Sequence, residues 1–291
     1  MLARPAQTPS PSVMPRGLQW LLPLLLCAAA PVVRPEVDCS PRPAAYALEG
    51  RRLLDVTVPL VASTTPVWEG GTDALVRAEL SAAGVEGAVA TLSRYSLPSH
   101  YGTHLDAWKH FSPAGSPSCD DARRDCSQGG ADDLLALPLD VLNGAAVLLD
   151  VPETSKAVTA DFLEASVPEG TTRILLRTRH SRQRSMYQPR FDYNFTALDA
   201  GAARWLTQRG VGLIGVDYLS VMTHDDGVEG HLELLGKGVI AVEGLDLHDA
   251  PAGEVLLMCL PLAIPGGDGV PTRVVLAFDE QPEGEGTRDE L

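Results

Sequence analysis

The segment His100-Tyr101-Gly102-Thr103-His104-Leu105-Asp106-Ala107-Trp108-Lys109-His110 decides how this chain is read. It holds three of the chain's seven histidines and an aspartate. Imidazole and carboxylate together form a ligand set for Zn²⁺, Mn²⁺ or Fe²⁺. On a helix or turn, His100 and His104 share a face, and so do Asp106 and His110. On an extended chain all four even-numbered positions point to one side. Donors converge in either case. Gly102 permits close backbone approach, and Thr103 can orient a neighbouring ligand through its hydroxyl. The same residues would also suit a solvated histidine-rich loop, and spacing alone leaves that reading open.

Around this segment, strand-like and helix-like stretches alternate. Residues 53–61 (LLDVTVPLV) and 87–95 read as strands, the second running straight into the histidines. Residues 145–151 and 173–178 are apolar runs of the kind buried on both faces of a sheet. Thr196 is the expected cap of a helix with Leu198, Ala202, Trp205 and Leu206 on its apolar face, and Gly210 ends it. Strands are expected at 211–216, 239–243, 254–262 and 272–278, with a helix at 230–235 before the second of them. The pattern predicts an α/β fold in one domain, residues 31–280, with no linker inside it.

The whole chain has 291 residues, 45% of them apolar and 21% charged, a globular composition. Its net charge of −15 opposes nucleic-acid binding, because phosphate contacts need Lys and Arg. Residues 20–30 (WLLPLLLCAAA) are too few to span a bilayer, which needs about 20. Behind Arg4 and Arg16 they read as the apolar region of a secretory signal, residues 1–30, with Pro31 leaving the cleavage point open. No other stretch reaches membrane-spanning length. Residues 281–291 form an acidic tail ending Arg288-Asp289-Glu290-Leu291, which resembles the K-D-E-L class of retention signals. The expected address is the lumen of the endoplasmic reticulum, with its retrieval receptor as a partner. In that compartment Cys119 and Cys126, around a polar stretch, are expected to close a small disulfide loop. The pairing of Cys39 and Cys259 stays open, and Asn194-Phe195-Thr196 is a glycosylation sequon.

The quoted segment resembles the pattern H-x-G-T-H-x-D-x-P-x-H of the cyclase-like metal hydrolases, which include bacterial-type kynurenine formamidase and isatin hydrolase. It matches at His100, Gly102, Thr103, His104, Asp106 and His110 and departs at Trp108, where the family has Pro. The resemblance extends over roughly residues 50–280, through Pro66-Val67-Trp68, Gly215-Val216-Asp217, Ser220 and Gly269, Pro271 and Arg273. His231 and Glu243 stand twelve apart, as two further family ligands do. It implies a single domain of the swivelling β/β/α kind with a mixed sheet, and a homo-oligomer. It also implies one or two Zn²⁺ or Mn²⁺ ions per chain. His100, His104 and Asp106 would hold the first, and Asp106, His231 and Glu243 would complete a second site. His110 would be the general acid/base, and Trp68 and Trp108 would contact substrate. The implied reaction is metal-assisted hydrolysis of a C–N bond in a small-molecule amide, an aryl formamide or a cyclic amide such as isatin.

Without these partners, His231 would read as a polar position on an amphipathic helix and Glu243 as a strand end. His224 reads as a loop residue, and His180 and His248 have no constellation around them. A different function class also remains, a non-catalytic lumenal protein that binds a metal or ligand on the same fold. The intact donor set favours the enzyme. Deleting Arg288 to Leu291 is expected to send the protein into the medium. Pulse-chase comparison of the two forms checks this, and equal intracellular retention counts against a receptor-read address.

Overall fold

The computed structural model describes residues 45–48, 50–69, 76–85, 87–111 and 134–279, all within the unit Cys39–Leu291. The expected signal segment, the acidic tail, Cys39, Cys119 and Cys126 lie outside the described residues. The described residues begin with strands β1 (Ala45–Leu48) and β2 (Arg51–Asp55), then a separate two-stranded ribbon, β3 (Val76–Ser81) and β4 (Leu92–Ser96). The three-residue strand β5 (His104–Asp106) follows. A run of alternating elements comes next: α1 (Leu139–Leu142), β6 (Asn143–Asp150), α2 (Ala160–Ser166), β7 (Arg173–Arg177), α3 (Arg179–Arg182), α4 (Ala200–Gln208), β8 (Leu213–Val216), α5 (Gly227–Gly236) and β9 (Ile240–Glu243). The hairpin β10 (Gly253–Pro261) and β11 (Gly269–Asp279) ends it. No helix among the described residues is long and apolar enough to cross a membrane.

Strands β6 to β9 pair in parallel, and every residue of β8 and β9 is buried, as continuous apolar strands covered on both faces should be. Alternation sorts their side chains between two cores. Leu175, Leu213, Ile240 and Val242 face inward with Leu257 and Val274 of the hairpin. Ile174, Leu176, Ile214, Val216 and Ala241 face outward, under Leu163 of α2, Leu206 of α4 and Leu234 of α5. The sheet runs β1-β2-β11-β10-β6-β7-β8-β9-β5, and β5 also pairs with β11. That pairing closes the mixed sheet into a barrel, so neither β9 nor β11 is left with a free edge beside β5.

Three local expectations change, the first being that strand 87–95 starts only at Leu92. Asp199, not Thr196, caps α4, its Oδ1 accepting the Ala202 amide at 2.7 Å. Leu198 is held in bridges to Val158 and Met222, so the helix starts later, and the Thr196 hydroxyl donates to Ser155 O instead. Strand 53–61 also ends earlier, at Asp55. Cys259, on β10, is a buried free thiol.

His180 organises the loop that backs one wall of the site. Its Nε2 accepts the Thr196 amide at 3.2 Å, Nδ1 lies 3.0 Å from Ser185 Oγ, and its ring stacks on Tyr218 at 4.1 Å. Nε2 can accept only from a neutral imidazole. Burial, with Arg179 beside it, lowers the His180 pKa to about 4. The unfolded value is ~6.5. The folded pKa is therefore the depressed one, and its stabilisation is present above pH ~6.5 and lost as pH falls towards 4. Urea unfolding at pH 7 and pH 4.5 should show His180→Gln losing roughly 2–3 kcal/mol less than the parent over that interval. Equal losses would show that folded His180 takes up its proton at the same pH as the unfolded chain does.

Candidate metal centre

The short strand β5 is where the donors are assembled. It lies between β9 and β11, with His104 paired to Glu243 and Asp106 paired to Gly269. Directly opposed residues of adjacent strands put their side chains on one face, and Asp106, two residues on, shares it. Leu105 between them points into the core. The His104 and Glu243 side chains accordingly meet, Nε2 to Oε2, at 3.2 Å. Thr103 locks the register. Its hydroxyl donates to Gly244 O at 2.6 Å and accepts the Val58 amide at 2.8 Å. Gly102 and Gly244 both have positive φ, and a side chain on Gly244 would strike Gly102 O.

His231 enters from α5, where its Nδ1–H donates to Gly227 O at 2.6 Å. Its Nε2 then lies 3.5 Å from Glu243 Oε1 and 3.9 Å from Asp106 Oδ2. His104 is held in the same way, Nδ1 against Gly102 O at 3.0 Å, which leaves Nε2 bare. His100, from the turn before β5, approaches Asp106 Oδ1 with Nδ1 at 2.8 Å. Glu243 Oε1 also accepts the Val221 amide at 2.8 Å.

Two buried carboxylates among imidazoles must be compensated by protons or by a cation. With protons alone, burial opposes charge on His100, yet Asp106 and Asp268 beside it raise its pKa to about 9. Burial opposes charge on Glu243 too, but His104 and His231 hold its pKa below the usual carboxylate range. Protons still leave the polar atoms badly used. Asp106 Oδ1, Asp106 Oδ2 and His104 Nε2 are buried with no contact of hydrogen-bond geometry. His104, Asp106 and Glu243 offer ligand atoms within 4.8 Å of one another, as do His100, Asp106 and His110. Shared bare atoms at this spacing fit a divalent cation, with Asp106 common to both groups.

His110 sits on the 3₁₀ turn Trp108–His110, its ring stacked on His100 at 3.9 Å. Burial lowers its pKa, so the ring is neutral at pH 7. A cavity of about 490 Å³ opens above the donors, lined by His110, Phe111, Leu219, Val228, Trp68 and His224 among others. Trp68 is half exposed there, edge-on to Phe191 at 4.9 Å. Trp108, which the family resemblance makes a substrate contact, is instead fully buried in the barrel core and does not line the cavity. The turn points His110 at the site and sends Trp108 inward, so the large ring fills core space. Asn194 is exposed in the loop behind Trp68. Three residues escaped sequence reading. His224 lies parallel to Trp68 at 6.5 Å, Phe111 stacks on His231 at 4.4 Å, and Asp268 bonds His100 Nε2 at 3.0 Å. Each is distant in sequence from its partner, so no spacing marks it.

Fold and site together define a closed α/β barrel with a candidate metal centre of three histidines and two carboxylates at one strand pairing. The model of the putative cyclase family matches residues 54–222, and the chain belongs to that family. Cyclase-like protein 2 of Oryza sativa subsp. japonica is 36% identical, covering 78% of this chain and 79% of its own length. A kynurenine formamidase of Sphingopyxis alaskensis is 30% identical over 77% of this chain and 97% of its own. Among solved structures, a predicted metal-dependent hydrolase from Bacillus stearothermophilus superposes with a TM-score of 0.61 at 26% identity, over 78% of this chain and 98% of its own. Isatin hydrolase A from Labrenzia aggregata shares the fold, with a TM-score of 0.64 at 21% identity, over 79% and 95%.

Proposed function

We propose that the protein is a metal-dependent hydrolase of a C–N amide bond, acting on an aryl formamide of the N-formylkynurenine type or a cyclic amide of the isatin type. The observation that carries this reading is the set of bare buried donors, Asp106 Oδ1 and Oδ2 with His104 Nε2, at the base of a cavity that also exposes His110. His100, His104, Asp106, His231 and Glu243 would hold one or two Zn²⁺ or Mn²⁺ ions, since nitrogen and oxygen donors suit both. When bound, the metal supplies a water of lowered pKa and polarises a carbonyl oxygen. The chain's own residues do the rest. Trp68, Phe111, Leu219 and Val228 give flat apolar surface on which an aromatic amide can lie. His110, neutral at pH 7, takes the proton of the attacking water and returns it to the departing nitrogen. The kynurenine formamidase relative favours the formamide among the two substrates.

Two variants separate ligation from proton transfer. His104→Ala is expected to lose bound metal and turnover together. His110→Ala is expected to keep most of the metal and lose ~10²–10⁴-fold in kcat. Metal content by elemental analysis and turnover of N-formylkynurenine and isatin, with metal in excess, check both. A parent that carries its metal and hydrolyses neither amide sinks the hydrolase reading in favour of a binding protein. His110→Ala with unchanged kcat would move the proton transfer to another group.

A further inference from the structure

Asp268 ends the loop of the β10–β11 hairpin and stands next to Gly269, the partner of Asp106 in the sheet. Its backbone is tied to β5 by main-chain contacts, with the Ala107 amide donating to Asp268 O at 2.9 Å. Lys109 Nζ donates to Gly266 O at 2.6 Å and holds the same loop on the 3₁₀ turn. A side chain on Gly269 would strike the His100 ring, so the ring packs directly against this strand. The Asp268 carboxylate, partly exposed, is thereby brought to the outer edge of that ring.

The three histidines are not oriented alike. His104 and His231 each give Nδ1–H to a main-chain carbonyl and turn Nε2 inward. His100 is reversed. Its Nδ1 faces Asp106 Oδ1 at 2.8 Å, so for Nδ1 to join that carboxylate as a donor to a shared cation the ring must keep its proton on Nε2, and Nε2 is 3.0 Å from Asp268 Oδ2. A main-chain carbonyl cannot be removed by substitution, but this acceptor is a side chain. The same Oδ2 lies 3.6 Å from Nδ1 of His110, whose ring is stacked on His100. That is too long for a hydrogen bond, yet the negative charge favours a proton on Nδ1 and leaves His110 Nε2 bare. We propose that Asp268 is a positioning residue that sets the tautomer and orientation of His100 for the metal and of His110 for proton transfer. The inference rests on the metal-hydrolase reading above. Asp268 does not line the cavity, so it acts on substrate only through these two rings.

The test uses the full chain, with Zn²⁺ as the probe in competition with a chromophoric chelator. Asp268→Ala is expected to weaken Zn²⁺ affinity about 10- to 100-fold, the usual effect of losing a carboxylate behind a ligating histidine. Asp268→Asn keeps the shape and a neutral acceptor, so its affinity should fall between parent and Ala variant. At saturating Zn²⁺ both variants should lose kcat at least tenfold, with KM within about twofold of the parent. Thermal midpoints of the metal-free proteins should stay close, because the loop is fastened by its backbone. Parent-like Zn²⁺ affinity in the folded variants overturns the proposal, and if Asp268→Ala fails to fold, Asp268→Asn alone decides. The affinity arm needs no substrate. A parent that binds Zn²⁺ but hydrolyses no amide removes the hydrolase reading and leaves the Asp268–His100 inference standing. A parent that binds no Zn²⁺ removes both.

Discussion

Burying Asp106 and Glu243 within reach of the same imidazoles is the constraint on which the rest of this structure depends. Ionised carboxylates taken out of water are costly unless paired and hydrogen-bonded. Here each is surrounded by histidine nitrogen, and Glu243 gains the Val221 amide as well. Asp106 has no such backbone donor, and its two bare oxygens are the clearest mark that a cation belongs in the arrangement. The surrounding elements are arranged so that these groups cannot relax apart.

The holding device is the closure of the barrel. Strand β5 has only three residues, too few to be stable alone, and it persists because both its edges are paired. One edge sets His104 against Glu243 and the other sets Asp106 against Gly269. The side chains that pack inward at this level, Leu105, Val242 and Val270, exclude water from beneath the donors. Thr103 ties the start of β5 to the chain leaving β9, so its hydroxyl sets the relative height of His104 and Glu243. Tautomers are set in the same economical way, by main-chain carbonyls behind His104 and His231 and by Asp268 behind His100.

The cavity above is built from parts with different duties. Its floor is rigid, because β9 and β5 are completely buried. One wall comes from loops instead. Trp68 leans on Phe191 and Phe195, and these are held through Tyr218 and His180, whose hydrogen bonds reach Asp192 and Thr196. Varying such a wall alters what fits while leaving the donors in place. Trp108 has no part in that variation, since its ring is committed to the core.

Much of the site could be read from sequence because its donors are local. His100, His104, Asp106 and His110 lie within one short segment, and no arrangement of the backbone scatters them far. The apolar stretches Ile174 to Leu176 and Val239 to Val242 announced buried strands, since a strand covered on both faces keeps its charged residues to its ends. Tertiary structure alone decided the remainder. It made β5 extended, because pairing with β9 and β11 outweighs any local preference of so short a stretch. It moved the start of α4 to Asp199, because Leu198 was needed in bridges to Val158 and Met222. It turned Trp108 into the core, and it brought Asp268 to His100 across 168 residues. Sequence carries composition and period, which settle what a segment prefers. Which side chains meet across long separations is settled by register and closure, and those exist only once the sheet has formed.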